Sequence, residues 1–246
     1  MRRRFASLVP LALAVLALAA APAGQAPPIQ LGESRPLETA LGDPSLPTAA
    51  DTWLDMIRGA KTSVDLEEFY LSRKAGEALD PVLDELGRAS ARGVKIRLIL
   101  DAGMHKTYPQ PADSLGKLAN FSVRTIDYHR IAGGVQHSKF MVVDDKEAWL
   151  GSQNLDWRAL THIHELGARV RLEPVAKTFA DVFATDWAAC DTTSKAAPVD
   201  RKPAKWPMLS FAVSSGESKW SVSPSLSIRA ERAASIWAFN AWPTPR

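Results

Sequence analysis

The sequence has almost no cysteine, since Cys190 is the single one among 246 residues. No internal disulfide can therefore form, and a small disulfide-stapled scaffold is excluded. Stability has to come from a hydrophobic core, and a hydrophobic content of 46% is enough for one at this length. The same composition excludes a disordered or fibrous chain.

An excess of charge of one sign is also missing from the body of the chain. The formal net charge is +3, but three arginines lie in the first 23 residues, and residues 191–246 hold eight Lys and Arg against four Asp and Glu. Residues 24–190 therefore carry a net charge near −4. This excludes nucleic-acid binding through bulk positive charge and leaves a local basic site open.

A long apolar run lies at the N-terminus. Arg2–Arg4 precede the apolar segment Leu8–Ala20, and small residues follow at Ala21 and Ala23, which is the pattern of a secretory signal peptide. We expect cleavage after Ala23, because a cut after Ala21 would leave Pro22 at the new N-terminus. The alternative is a retained membrane anchor, but the run is shorter than the ~20 residues that a span needs. The protein is therefore expected to be secreted or periplasmic.

Composition divides the rest of the chain into three segments. Residues 24–50 are rich in Pro, Ala and Gly without periodicity, which predicts a linker or an extended N-terminal arm. Residues 51–190 alternate strand and helix patterns and form the predicted domain. Residues 191–246 contain four tryptophans but no sustained period, which is typical of an irregular tail.

The predicted domain is of the α/β class. Strands are expected where apolar residues alternate, at 62–71, 94–103, 121–128, 137–144, 147–152 and 164–171. Helices are expected where the apolar period is near 3.6, in the segment that begins at Asp51 and at 76–93, 155–162 and 174–190. The two strands that flank Asp144 to Lys146 are too close for a parallel crossover. The fold is therefore predicted to be a layered α/β/α sandwich with a mixed sheet.

The stretch from Val135 to Trp157 carries the densest chemistry. His137 and Lys139 stand at positions i and i+2 of a predicted strand, so their side chains point to the same face. Met141 and Val143 continue this face into the core. Two basic side chains on one face of a strand favour an anionic ligand.

Polar residues at the strand ends complete a candidate site. Ser152 and Asn154 follow the second strand, where polar groups on loops converge on a ligand. A neutral histidine can attack phosphorus and form a labile phosphoramidate. Lysine, serine and asparagine can donate hydrogen bonds to phosphoryl oxygens, where negative charge accumulates. This chemistry needs no metal and no other cofactor.

The sequence HSKFMVVD at 137–144, with GSQN six residues after it, resembles the HxKxxxxD signature and GSxN extension of the phospholipase D superfamily. The resemblance covers roughly residues 47 to 190, which correspond to one lobe of that fold. It implies that His137 is the nucleophile or its acid partner. It also implies that Lys139 and Asn154 bind phosphate and that Ser152 is a supporting donor. The substrate would be a phospholipid or another phosphodiester.

Two carboxylates belong to the same resemblance. Glu165 stands where superfamily members hold the second ring nitrogen of the histidine, and such a contact would stabilise the imidazolium. Asp144 is part of the motif. We expect it to accept hydrogen bonds near the motif turn rather than to carry a proton.

The active site of the superfamily uses two such motifs, and this sequence has one, with no histidine after His164. Three explanations stay open. Two chains could complete one site as a homodimer, as in short bacterial endonucleases of the superfamily. The chain could be a truncated form of a two-lobed secreted bacterial enzyme, with 191–246 as the remnant of a lost lobe. The lobe could also be inactive and bind only phosphate or lipid.

Two stretches favour the truncated phospholipase over the dedicated dimer. The sequence LEEFY at 66–70 and the long loop expected from Asp101 to Asp113 resemble two-lobed secreted members more than minimal endonucleases. A phospholipid is therefore the favoured substrate, ahead of nucleic acid. The sequence leaves open whether Glu67 and Glu68 line the cleft or face solvent. His162 and His164 lack a third ligand at a suitable spacing, so no metal site is predicted.

Overall fold

The structure is a computed structural model that describes residues 26–190. The expected cleavage after Ala23 and the predicted irregular tail at 191–246 lie outside the described residues. Within 26–190, no helix is both long enough and apolar enough to cross a bilayer.

The described residues form strands in two sheets, with helices between them. The strands are β1 Ile29–Ser34, β2 Ser63–Glu68, β3 Leu71–Ser72, β4 Lys95–Asp101, β5 Phe121–Ile126, β6 Phe140–Val143, β7 Glu147–Gly151, β8 Leu155–Asp156 and β9 Glu165–Val170. The helices are α1 Ala49–Gly59, α2 Leu79–Ala91, α3 Ala102–Thr107, α4 Pro109–Leu115, α5 Tyr128–Ala132, α6 Trp157–Thr161 and α7 Glu173–Ala189.

The large sheet is mixed, as the sequence predicts. Its strand order is β1-β9-β7-β6-β2-β4-β5. The strands β2, β4 and β5 run parallel, whereas β6, β7, β9 and β1 each lie antiparallel to their neighbours. The short strands β3 and β8 pair separately and hold Leu71 beside Leu155.

Helices cover both faces of the sheet. The side chains of β6 alternate between these faces, so their contacts show which helices lie on each side. Met141 and Val143 pack into the core that includes residues of α1 and α2, as expected from the i, i+2 spacing. Phe140 and Val142 pack into the core that includes α7. The predicted α/β/α layering is therefore confirmed.

The N-terminal part of the domain corrects two expectations. Ile29–Ser34, inside the predicted linker at 24–50, is an edge strand that pairs antiparallel with β9. Its partner is far away in sequence, so no local pattern indicates the pairing. Helix α1 begins at Ala49 rather than at Asp51, and Thr48 caps it, since the Thr48 hydroxyl oxygen accepts a hydrogen bond from the Asp51 N–H at 3.0 Å.

The segment from Asp101 to Asp113 is also more ordered than the long loop that we expect from the sequence. It contains the short helices α3 and α4. Asp101 caps α3 by accepting hydrogen bonds from the N–H groups of Gly103 and Met104. The segment therefore forms an ordered surface beside the carboxyl end of β4.

Candidate active site

Of the motif residues, His137 and Lys139 lie at the edge of the large sheet that the strand ends form. The parallel strands β2 and β4 end there, at Glu68 and Asp101. Since β6 is antiparallel to β2, the residues that precede β6 reach the same edge. Carboxyl ends of parallel strands commonly form ligand crevices in α/β folds.

His137 and Lys139 converge, as the sequence predicts. The Lys139 ammonium Nζ lies 3.3 Å from Nδ1 of His137 and donates a hydrogen bond to the His137 carbonyl oxygen at 2.9 Å. Both residues precede the strand proper, which begins at Phe140. An exposed imidazole and a cation beside it form a site for a phosphoryl group.

The environment of His137 favours the neutral imidazole. Partial burial lowers the pKa of His137, the Lys139 charge lowers it further, and Asp101 opposes both effects. The Phe69 ring packs against the imidazole with ring centroids 4.7 Å apart and an interplanar angle of 62°. A neutral imidazole with a lone pair available near pH 7 can act as a nucleophile.

Two carboxylates act on Lys139 from within the chain. Burial lowers the pKa of Lys139, while the charges of Glu68 and Glu165 oppose the shift. Burial raises the pKa of Glu68 well above its ordinary value, although Lys139 opposes that shift. Glu68 is 3% exposed, so it lies beneath the site and does not face solvent. The sequence leaves this question open.

Glu165 does not make the contact that the resemblance implies. No hydrogen bond joins Glu165 to His137 among residues 26–190, and one buried carboxylate oxygen of Glu165 has no hydrogen-bond partner. The reason is topological, since β7 lies between β9 and β6 and two strand spacings amount to about 10 Å. Within one chain, Glu165 acts on Lys139 instead.

Ser152 and Asn154 lie on the loop between β7 and β8. This loop starts beside the motif, because the Gly151 N–H donates to the Lys139 carbonyl oxygen at 3.2 Å. Ser152 is exposed, and its hydroxyl makes a long hydrogen bond of 3.4 Å to the Leu166 carbonyl oxygen. The buried Oδ1 of Asn154 has no partner. The backbone of this loop therefore begins beside Lys139, and among residues 26–190 no hydrogen bond joins the Ser152 or Asn154 side chain to His137 or Lys139.

Asp144 lies at the opposite end of β6 from His137 and Lys139. Five residues of extended chain separate it from Lys139, which is about 16 Å. Its carboxylate accepts hydrogen bonds from the N–H groups of Lys61, Thr62 and Ser63 and from the Thr62 hydroxyl, at 2.7 to 2.9 Å. Burial opposes ionisation, but these hydrogen bonds outweigh it and lower the pKa of Asp144. The carboxylate joins the motif turn to the start of β2, which is the hydrogen-bonding role expected of it from the sequence.

We expect Asp144→Ala to reduce stability by about 2–4 kcal/mol while leaving the turnover of folded protein unchanged, because three N–H groups lose their acceptor. Asp144→Asn is the matched control. It keeps a side chain that tolerates the positive φ of 54° but lacks the charge. Urea unfolding and diester turnover, measured on both variants, separate the two effects. A large fall in turnover of fully folded Asp144→Ala would instead place Asp144 in the chemistry.

A buried polar network lies beneath His137, and the sequence does not predict it. The Gln136 side chain donates to Glu67 at 3.0 Å, and the Gln136 N–H donates to Asp101 at 3.1 Å. Burial, reinforced by the charge of Asp186, raises the pKa of Glu67 to about 8. The network therefore ties the residue before His137 to both β2 and β4. The sequence shows two adjacent glutamates at the end of a predicted strand, but it does not show that this strand is buried on both faces.

His162 and His164 make contacts with carboxylates outside the motif. His162 lies near Glu77 and Glu38, and His164 lies 3.1 Å from Glu33. In the part of the chain that the structure describes, no group of three or more His, Cys, Asp or Glu side chains is arranged to hold a metal ion.

Comparison with known proteins gives consistent matches. A family model described as cardiolipin synthase, PLD-like domain, matches residues 53–187. Phospholipase D Z of Dictyostelium discoideum is 38% identical over 149 residues, which cover 56% of this chain and 35% of that protein. The 5'-3' exonuclease PLD3 of Bos taurus is 32% identical over 155 residues, which cover 58% of this chain and 31% of that protein. The chain thus spans about a third of the length of these curated relatives.

Solved structures match the fold. The phospholipase D family member Nuc of Salmonella typhimurium has a TM-score of 0.52 at 22% identity, over 65% of this chain and 94% of that one. NucT of Helicobacter pylori has a TM-score of 0.51 at 18% identity, over 57% of this chain and 87% of that one. At these identities, the likeness establishes a shared fold and nothing further.

Proposed function

We propose that this chain, which belongs to the phospholipase D superfamily of phosphodiesterases, hydrolyses phosphodiesters through a covalent intermediate on His137. The observation that carries the proposal is the exposed imidazole of His137 with the Lys139 ammonium 3.3 Å from its ring. The imidazole supplies the nucleophile, and the ammonium donates hydrogen bonds to the phosphoryl oxygens.

The proposed reaction has two displacements at phosphorus. A ring nitrogen of neutral His137 attacks, an N–P bond forms, and the P–O bond to the leaving alcohol breaks. Water then attacks phosphorus and gives a proton to the group that protonated the leaving alcohol, the N–P bond breaks, and a phosphomonoester leaves while His137 is regenerated. Lys139 balances the charge that develops on the phosphoryl oxygens, and Asn154 and Ser152 are the proposed additional donors.

The leaving alcohol needs a proton from a second group. We propose that a second copy of this chain supplies it through its own His137, so that a homodimer forms one site. Val135 lies two positions before His137, and Leu166 follows Glu165. They are 54% and 51% exposed and provide apolar surface for such an association. The negative net charge near −4 of residues 24–190 does not favour bulk nucleic-acid binding in this assembly.

Two substrate classes remain candidates. A phospholipid is favoured by the sequence resemblance and by the relative named Phospholipase D Z. A nucleic acid is favoured by the relative named 5'-3' exonuclease PLD3. Binding to nucleic acid would weaken steeply with salt, whereas hydrolysis of a phospholipid would depend on the lipid surface presented. We also propose export, from the signal-peptide pattern that ends at Ala23.

Trapping the covalent intermediate tests the proposed chemistry. The full-length protein would be mixed with methyl 4-nitrophenyl phosphate, quenched and analysed by peptide mass spectrometry, with release of nitrophenol as the kinetic readout. We expect a phosphoryl adduct on His137 that is lost on acid treatment. Turnover without an adduct on any histidine would overturn the covalent route.

Mixing experiments test the shared site. Wild-type protein would be mixed with an excess of inactive His137→Asn protein until the subunits exchange. The activity per wild-type chain should fall, because a mixed dimer holds one His137 and the proposed site needs two. Light scattering on the same samples gives the mass. Activity that stays proportional to the wild-type concentration, together with a monomeric mass, would contradict the homodimer.

A further inference from the structure

A chain of three aromatic rings leads away from His137 along the edge of the sheet. Phe69 contacts the imidazole, and the Tyr70 ring lies 5.5 Å from Phe69. Tyr108 lies 5.6 Å from Tyr70 at an interplanar angle of 31°. All three rings are partly exposed rather than buried in a core. We call Phe69, Tyr70 and Tyr108 the aromatic shelf.

Two elements bring the shelf together at the crevice. Phe69 and Tyr70 follow the carboxyl end of β2. Tyr108 stands between α3 and α4, in the segment that follows β4. The ammonium of Lys139 lies 5.6 Å from the centroid of the Phe69 ring. A phosphoryl group bound at Lys139 would therefore have the first ring of the shelf beside it.

Polar contacts at the far end hold the rings in place. The Tyr70 hydroxyl donates to the buried Asp156 carboxylate at 2.5 Å. Arg158 donates to the same carboxylate at 2.6 Å and also interacts with the Tyr108 side chain. Rings fixed in this way lose little conformational freedom when a flat ligand stacks on them.

The chemistry of the shelf fits a flat ring better than an acyl chain. Its charged neighbours include Lys139 and Arg158, which an aliphatic chain would have to desolvate without forming a hydrogen bond. A nucleobase carries polar edges for these neighbours and a π-face for the rings. Arg158 is 42% exposed at its side chain, so part of its guanidinium remains accessible to a polar edge.

We propose that the aromatic shelf is a stacking subsite for an unpaired nucleobase next to the scissile phosphate, which makes a single-stranded nucleic acid the substrate. A base-paired strand hides its ring faces in the helical stack, so the shelf selects for single strands. This inference rests on the proposed phosphodiester hydrolysis at His137 and deepens it by choosing between the two substrate classes.

Substitution of Tyr108 provides the main test, because this residue is the shelf member farthest along the ring chain from His137. The full-length protein would be assayed with a short oligothymidylate, with its abasic counterpart and with methyl 4-nitrophenyl phosphate. We expect Tyr108→Leu to lower kcat/KM on the oligothymidylate about tenfold, as for the loss of one stacked base. The other two substrates should change by less than about twofold, and Tyr108→Phe, which keeps the ring, should stay near wild type.

Binding measurements keep the inference testable if turnover is absent or if Tyr108→Leu does not fold. The anisotropy of labelled oligomers on wild-type protein should give a Kd for oligothymidylate about tenfold below that for the abasic oligomer. Equal affinity for both oligomers would overturn the subsite, whatever the catalytic result.

Three further outcomes have distinct meanings. A Tyr108→Leu defect of equal size on intact and abasic oligomers would overturn base stacking. A defect confined to hydrolysis of phosphatidylglycerol vesicles would assign the shelf to lipid and also overturn it. Absence of wild-type turnover on all substrates, with base-dependent binding retained, would refute the proposed hydrolysis while supporting the subsite.

Discussion

Replacing His137 by Asn is expected to abolish phosphodiester turnover, with a loss of about a thousandfold or more, because the nucleophile of the proposed reaction disappears. The fold should remain intact. The imidazole is exposed, and it contacts the Phe69 ring and the Lys139 ammonium. Initial rates on methyl 4-nitrophenyl phosphate and thermal unfolding curves, recorded on the same preparation, check both parts.

His164→Asn is the matched control for this substitution. His164 is also an exposed histidine, but it bonds to Glu33 and lies outside the motif. We expect its turnover to stay within about twofold of wild type, as for a surface substitution. Full activity in folded His137→Asn would refute the assignment of His137 as the nucleophile.

The second large effect is on the pH dependence of stability and arises at Glu67. An unfolded glutamate has a pKa of about 4.3, whereas folded Glu67 has a pKa of about 8, chiefly through burial. Between these values the folded state holds a proton that the unfolded state has released. The stabilisation from the protonated Glu67 carboxyl group is therefore fully present below the pKa of the unfolded state. It is lost as the pH rises through the pKa of Glu67 in the folded state.

The groups that face Glu67 belong to several elements. Gln136 and Ser138 interact with its carboxyl group from the motif segment, and Asp186 does so from α7. Tyr128 of α5 donates a hydrogen bond to Asp186 at 3.0 Å. Ionised Glu67 would face the carboxylate of Asp186 in a buried setting. Burial raises the pKa of Asp186 as well, so both carboxyl groups resist ionisation.

Glu67→Gln should flatten this dependence. Glutamine is neutral at every pH and keeps an oxygen that can accept the hydrogen bond from Gln136. In the wild type, the free energy of unfolding should fall with a slope of up to about 1.4 kcal/mol per pH unit from this group. Urea unfolding at several pH values between the two pKa values measures the slope for both proteins. Parallel slopes in wild type and variant would contradict the assigned pKa of Glu67.

The fold class followed from patterns that are local in sequence. The alternation in β2 and β4 and the helical period of α2 lie within single elements, so periodicity alone indicates them. The edge strand β1 was missed because its pairing with β9 is a long-range contact. The helices α3 and α4 were missed because a Pro-containing segment with little periodicity is typical of a loop.

The proximity of His137 and Lys139 was predictable for a related reason. His137 and Lys139 are two residues apart, and the geometry of an extended chain places them together before any tertiary contact forms. Asp144 belongs to the same motif, yet its carboxylate serves β2 at the other end of the strand. Residues of one motif therefore lie in one site only if they are at the same end of the strand.

The sequence by itself determined the α/β class, the mixed sheet, the phosphodiesterase family and the pairing of His137 with Lys139, because each depends on spacing within a short segment. Only the tertiary structure decided that Glu68 is buried under the site, that Glu165 acts on Lys139, and that Tyr108 joins the aromatic shelf. The physical reason is that burial and charge coupling depend on distances between strands and helices far apart in the chain. Those distances are set by packing of the whole domain.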